Sequence, residues 1–199
     1  MAVYTKINKK DISYINKKFE IEKIISFKGI KQGIENTNYL LRSKNKKFIL
    51  TIFEKRVSQN EIPFFMKLMD QLNNSKINCP KPQKNKNGNY LVRIRKKSAC
   101  IVSFLEGKDK KLLNLKNCHE IGKMIAGMHL STKKINLSRK NSMGIKYLNP
   151  LLNSIKFKSK KFTNIEKFLK INFKDIKMKW PKKLPSGIIH GDLFIDNIF

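Results

Sequence analysis

An Asp and an Asn five positions apart, Asp192 and Asn197, constrain this chain more than any other feature. They lie in His190-Gly191-Asp192-Leu193-Phe194-Ile195-Asp196-Asn197, directly after the apolar run Gly187-Ile188-Ile189. An apolar run that ends in a polar loop reads as a short strand, 186–190, carrying that loop to the edge of a core. A carboxylate in such a loop can accept the proton of a hydroxyl, and a carboxamide oxygen can ligate a hard cation. Four fixed positions match by chance in roughly one chain per thousand. The residues upstream therefore decide what the loop means.

The spacing H-x-D-x-x-x-x-N is that of a phosphoryl-transfer loop, in which the Asp faces the attacking hydroxyl and the Asn holds magnesium. Gly191 stands where protein kinases carry Arg, which points to the small-molecule branch of that fold. The expectation is a nucleotide-binding sheet, a hinge and a helical lobe, in that order, before residue 190.

Reading forward, Asn8 can cap a helix over 8–18, with Asp11 in its first turn. Strands are expected at 21–30, 37–42 and 47–54. The first two flank a loop containing Gly33, with Gly29 just before it. Such a loop serves as a plain hairpin or as a backbone cradle for phosphate. In the third strand the phosphate-contacting Lys of kinase-type folds should fall at Thr51; Lys55 is the nearest replacement downstream. Ser58-Gln59-Asn60-Glu61 has the capping-box pattern for a helix running to about 73, with Phe64, Phe65, Leu68, Met69 and Leu72 inward. Capping is the expected role of Glu61, ahead of ion pairing.

Cys79-Pro80-Lys81-Pro82 must be extended, because each Pro pushes its predecessor out of the helical region. Asn87-Gly88 marks a turn into strands 90–95 and 99–104, joined by Lys96-Lys97-Ser98. The buried-looking run ending at Ser103-Phe104-Leu105-Glu106-Gly107 reads as an interlobe hinge or a simple linker. Beyond it no strand is expected until 186. Helices are expected at 117–130 and 164–172, and the lysine-rich stretch 138–162 reads as irregular. His129 reads as a packed or capping residue.

The formal net charge of +30 would ordinarily suggest nucleic acid or an anionic membrane. Yet the arginines are confined to Arg42, Arg56, Arg93, Arg95 and Arg139, and the lysines spread along the whole length. Base readers rely on arginine for bidentate contacts. The basic surface therefore reads as solvated, with no nucleic-acid partner expected, and a basic nucleic-acid-binding module stays as the lesser alternative. No apolar run approaches the ~20 residues of a membrane span. Cys79, Cys100 and Cys118 form no C-x-x-C pair, which fits a reduced, cytoplasmic setting and no zinc site.

The ordered set of features resembles the aminoglycoside phosphotransferase and choline kinase superfamily, and more closely its bacterial homoserine kinases. The resemblance rests on Met1-Ala2-Val3-Tyr4-Thr5, Ser26-Phe27-Lys28-Gly29-Ile30, Gly33-Ile34-Glu35-Asn36-Thr37-Asn38 and Phe48-Ile49-Leu50-Thr51 with Glu54-Lys55-Arg56-Val57. Pro63-Phe64-Phe65, Cys79-Pro80, Phe104-Leu105-Glu106-Gly107 and Leu184-Pro185-Ser186-Gly187-Ile188-Ile189-His190 extend it. It implies an α+β, protein-kinase-like two-lobe fold. A nucleotide-binding lobe would span 1–102, a hinge 103–107, and an incomplete, mostly helical lobe 108–199.

The implied reaction moves the ATP γ-phosphate to the hydroxyl of L-homoserine in threonine biosynthesis, with Mg2+. Choline, methylthioribose and aminoglycosides are the alternative acceptors within the superfamily. Asp192 would orient or deprotonate the hydroxyl, His190 would buttress the loop and Asn197 would ligate the metal. Ser103, Phe104 and Leu105 would hold adenine. Gly29, Gly33 and Asn36 would cover the phosphates, with Thr51 and Lys55 beside them. Relatives continue to a second metal-binding Asp, which would lie beyond Phe199. The expectation is a truncated fragment with little or no turnover.

Overall fold

The computed structural model describes residues 3–31, 35–54, 58–107, 112–141, 144–155, 163–181 and 183–198. They form two compact units, Met1–Ser138 with Ile188–Phe199, and Arg139–Gly187.

The first unit is organised by an antiparallel sheet of five strands in the order β1-β2-β3-β5-β4. These are β1 (Ser26–Gly29), β2 (Thr37–Arg42), β3 (Lys47–Ile52), β4 (Leu91–Ile94) and β5 (Lys97–Ser103). Successive side chains point to opposite faces of a strand. In β2 the burial alternates in step, with Thr37, Tyr39 and Leu41 buried and Asn38 and Leu40 half-buried. In β3, Phe48, Leu50 and Ile52 are buried on the same side.

That packed face meets α1 (Lys9–Lys18), which buries Ile12 and Ile15. Ile15, Phe19, Leu41, Leu50, Ile52 and Ile101 belong to the resulting core. The helix starts where the sequence predicts. Asn8 Oδ1 accepts from the N–H groups of Lys10 and Asp11 at 3.0 and 3.3 Å, and Asp11 Oδ2 accepts from the Asn8 N–H at 2.8 Å. This reciprocal box satisfies donors that a helix start otherwise leaves unpaired.

The opposite face is covered at one end by α2 (Ile62–Asn74), where Ile62 and Met66 pack with Cys100 and Val102. The capping box expected at Ser58 does not form. Glu61 is the cap residue, its backbone is already helical, and its side chain makes no capping bond. A backbone turn takes its place, in which the Glu61 N–H donates to the Ser58 carbonyl at 2.9 Å.

Strand β1 is shorter than the expected 21–30. Ile24 is held instead by a side chain: its N–H donates to Asn16 Oδ1 at 2.8 Å, and Asn16 Nδ2 donates back to its carbonyl at 3.1 Å. The β4–β5 hairpin turns at Arg95-Lys96, not at 96–98. Both residues have positive φ, 50° and 64°, the left-handed region usually left to Gly or Asn. The expected turn at Asn87-Gly88 is present, with Gly88 at φ 77° and its N–H on the Asn85 carbonyl. The extended 79–82 segment runs into a short pairing with the end of β5, through the bridge Pro82–Val102.

After β5 comes α3 (Leu115–Thr132), capped by Asn114. The second unit contains α4 (Ile145–Ser154) and α5 (Thr163–Lys179). Helix α4 corrects the irregular reading of 138–162. Pro150 lies inside it, and the chain tolerates the lost backbone bond because Leu148 and Leu152 share a small apolar cleft with Leu169 and Phe173 of α5. Helix α5 outruns the expected 164–172, supported by Glu166–Lys170 and Asp175–Lys179 pairs one turn apart. Among the described residues no helix is long and apolar enough to cross a membrane.

Candidate active site

The loop at 190–197 is built by two local devices. Gly191 takes φ 76°, which a side chain at that position would strain. A single 3-10 turn, Ile195–Asn197, then folds the chain back, closed by the Asn197 N–H on the Phe194 carbonyl at 3.0 Å. The turn brings Asn197 onto Asp192. Asn197 Nδ2 donates to the Asp192 carbonyl at 2.7 Å and lies 3.4 Å from Asp192 Oδ2.

This geometry fixes which atoms remain available. The carboxamide NH2 is committed to the loop, so Asn197 offers its Oδ1 outward. Asp192 and Asn197 are both exposed. A magnesium ion takes few protein ligands and keeps its remaining sites for water and phosphate oxygens. An Asn oxygen beside an exposed carboxylate fits that need. Among the described residues there is no group of three His, Cys, Asp or Glu that would make a closed metal cage. His190 is exposed, with no hydrogen-bond partner among the described residues. Residues 186–190 are not in a ladder, contrary to the expected strand. No described segment pairs with them, and an apolar run without a partner is not a strand.

The face of the sheet opposite the α1 core is half-open along β1 to β3. Lys28, Asn38, Leu40, Ile49 and Thr51 occupy it, because each alternates with a residue turned to the packed side. Thr51 sits opposite Asn38, and its hydroxyl donates to Asn38 Oδ1 at 2.8 Å. Asn36 Oδ1 accepts the Glu54 N–H at 3.2 Å. Gly29 belongs to the other face. A side chain there would meet Val3 Cγ2 at 2.9 Å and Tyr39 at 3.5 Å, so packing of the N-terminal arm alone accounts for the glycine. Gly33 and Lys55 lie outside the described residues.

The residues expected to form a hinge are partly spoken for. Ser103 donates its N–H to the Lys81 carbonyl at 2.9 Å, and its hydroxyl accepts the Lys81 N–H at 2.8 Å. Phe104 donates its N–H to the Lys47 carbonyl at 3.2 Å. Leu105 is the first residue after β5 whose N–H has no partner among the described residues. Lys47 Nζ lies 2.7 Å from Glu106 Oε1 and 5.2 Å from the centre of the Phe104 ring, tying the start of β3 to the segment after β5.

A polar cluster missed in the sequence closes the packed side. Glu54 pairs with Lys97 and accepts from the hydroxyls of Thr5 and Thr37 at 2.7 Å each. Burial works against the Glu54 charge, but the Lys97, Thr37 and Thr5 hydrogen bonds and the Lys97 charge prevail and hold its carboxyl below the usual range. Lys97 shares its face with Ala99 and Ile101, so it lies on the face away from Thr51 and does not stand in for the absent strand lysine. The only signal for this cluster was parity: Glu54 shares its face with Ile52, and Thr37 with Tyr39.

Residues 26–199 match the model of the phosphotransferase enzyme family, APH. The chain belongs to that family. Among curated proteins it is similar to homoserine kinases throughout its length. It is 35% identical to that of Parvibaculum lavamentivorans and 36% identical to that of Paramagnetospirillum magneticum. All of this chain is covered, against 62% and 61% of those two relatives, so it spans about three fifths of their length. In structure, a spectinomycin phosphotransferase in complex with ADP and spectinomycin matches with a TM-score of 0.65 at 13% identity, over 97% of this chain and 65% of that one. A microcompartment-associated aminopropanol kinase matches with a TM-score of 0.55 at 14% identity, over 71% of this chain and 47% of that one. The α+β, protein-kinase-like expectation thus holds, and the chain covers only part of that fold.

Proposed function

We propose that this phosphotransferase chain carries the nucleotide-binding and catalytic-loop portions of a homoserine kinase, which moves the ATP γ-phosphate to the hydroxyl of L-homoserine in threonine biosynthesis. The observation that carries the chemistry is the closed loop. Asn197 folds onto Asp192 through its NH2 and leaves two kinds of oxygen exposed side by side, a carboxylate and a carboxamide. The acceptor follows from the names of the relatives that match the whole chain.

In this reading residues 1–102 bind nucleotide, 103–107 form the hinge and 108–199 belong to the helical lobe. Adenine bonds the free N–H of Leu105, with Ser103 and Phe104 holding the hinge in place. The hairpin from Gly29 through Gly33 to Asn36 covers the phosphates, and Thr51 and Lys55 border them. Asp192 orients the homoserine hydroxyl and receives its proton, and His190 supports the loop from its N-terminal side. Magnesium, held at Asn197 Oδ1, neutralises charge on the phosphates when bound. The setting is the cytoplasm.

ADP release by the full gene product tests the proposal. L-homoserine is expected to support release, and Asp192→Asn to lower it by about 10²–10⁴-fold. Release with choline, methylthioribose or an aminoglycoside in place of homoserine would reassign the acceptor. Undiminished release by Asp192→Asn would remove the loop from the chemistry.

A further inference from the structure

Kinase-type folds grip the nucleotide phosphates with a lysine on the third strand. Here Thr51 occupies that place, and a neutral hydroxyl cannot supply the missing charge. It does something else. Its proton goes to Asn38 Oδ1, 2.8 Å away on the neighbouring strand. Two residues back, Asn36 Oδ1 is held by the Glu54 N–H at 3.2 Å. Thr37 is fully buried on the packed side, so Asn38, next to it in β2, points to the open face; Asn36 lies just before the strand.

A carboxamide has one acceptor oxygen and, at the other end, an NH2 that only donates. Strand β3 and the residue pair that follows it take both oxygens. Both NH2 groups are left over, and among the described residues neither has a hydrogen-bond partner. No buried side-chain nitrogen or oxygen in the described structure lacks a partner, so these amides are open to solvent or ligand. Asn36 lies two positions before Asn38 in the chain, at the entry to β2. Lys28, exposed on β1, shares the face of Asn38. The result is an array of donors, with one cation and no carboxylate from these strands.

We propose that Asn38, oriented by Thr51 and paired with Asn36, binds the polyphosphate of the nucleotide and takes over the positioning role of the absent strand lysine. Thr51 is then a positioning residue that acts only through Asn38. This rests on the reading of the chain as an ATP-using phosphotransferase. Grip by neutral donors depends on hydrogen-bond direction more than on charge, so the orientation of the Asn38 amide decides affinity.

Calorimetric titration of the full gene product with MgATP and, separately, with adenosine tests this. Asn38→Asp exchanges the donors for a negative charge, and MgATP binding is expected to weaken by more than about tenfold, with Asn38→Ala intermediate. Adenosine, which lacks phosphates, is expected to bind all variants as it binds the parent protein. Thr51→Val is expected to weaken MgATP several-fold and Thr51→Ser to restore it, a pattern that loss of bulk packing would not produce. Unchanged thermal unfolding of Asn38→Ala checks that the fold survives. MgATP affinity unaffected by Asn38→Asp and Asn38→Ala would overturn the assignment of Asn38 while leaving the phosphotransferase reading in place. A parent protein that binds neither MgATP nor adenosine would overturn both.

Discussion

Val3 occupies the space that a side chain on Gly29 would need: Val3 Cγ2 lies 2.9 Å from where the Cβ would sit. The N-terminal arm is thus laid across β1 on the packed face of the sheet. Tyr4 and Thr5 continue it, their N–H groups donating to Thr37 Oγ1 at 3.0 and 3.1 Å. A glycine in a hairpin proposed to cover phosphates is usually credited to the ligand. This one has a packing partner on the opposite side.

Gly29→Ala is therefore expected to destabilise the fold by about 1–3 kcal/mol through overpacking. Val3→Ala combined with Gly29→Ala should recover most of that loss, because the two sites share one space. Urea unfolding of the two single variants and the double variant measures the coupling. Simple additivity would show that Gly29 is not held by Val3.

Thr37 is the joint between arm, sheet and ion pair. Its hydroxyl accepts from two backbone N–H groups and donates to Glu54, so every hydrogen-bonding capacity is used. Thr37→Val should cost about 1–3 kcal/mol, since it leaves polar groups buried without a partner. The Glu54 carboxyl is held low in the folded state, so its stabilising contribution is fully present above the unfolded carboxylate range, near ~4.3. That contribution is lost as pH falls from there through the folded value. Stability of the parent protein should accordingly decline below about pH 4.5, and Glu54→Gln should flatten the decline. An identical acid limb in the variant would assign the loss to other carboxylates.

How much of this was legible beforehand depended on whether the signal was local. Helix α1 was readable because Asn8 and Asp11 cap it within four residues. Strand β2 was readable because its alternation is strict. Helix α4 was not, because 138–162 reads as a lysine-rich stretch until the partners of Leu148 and Leu152 on α5 are known. Ser58-Gln59-Asn60-Glu61 had the right letters, yet a backbone turn reached Glu61 first. The Glu54–Lys97 pair joins residues 43 apart in sequence, and no local pattern announces it. In the site, the Asp192–Asn197 spacing marked the loop, but the hydrogen bond between the two needed the 3-10 turn at Ile195–Asn197. The Asn38–Thr51 bond needed the β2–β3 register.

The three cysteines should separate cleanly by reactivity. Burial pushes the Cys100 thiol up to about 12, against a smaller opposing pull from the Thr51 backbone. Burial also raises Cys79, which is half-buried beside Asn73, while Cys118 is exposed on α3. Because the thiolate is the reactive form, a thiol reagent at neutral pH should modify Cys118 first, Cys79 slowly and Cys100 only on unfolding. Peptide mapping of the labelled protein reads the order. Early labelling of Cys100 in the folded protein would contradict its place between the sheet and α2.

In the proposed function Asn197 has two separable duties, closing the loop with its NH2, which contacts Asp192, and offering Oδ1 to a metal. Asn197→Asp keeps an oxygen ligand but removes the donor, and it sets a second carboxylate against Asp192. Asn197→Ala removes both functions. If loop closure is essential to placing Asp192, ADP release by the full gene product should fall by about 10²-fold in both variants, the cost of a small misplacement of a reacting group. Added magnesium would then leave Asn197→Asp impaired. The contact at 2.7 Å favours this outcome, because the carbonyl of Asp192 itself is the acceptor. Recovery of Asn197→Asp by raised magnesium would instead mean that the oxygen ligand is the whole contribution of Asn197, and that Asp192 keeps its position without the bond.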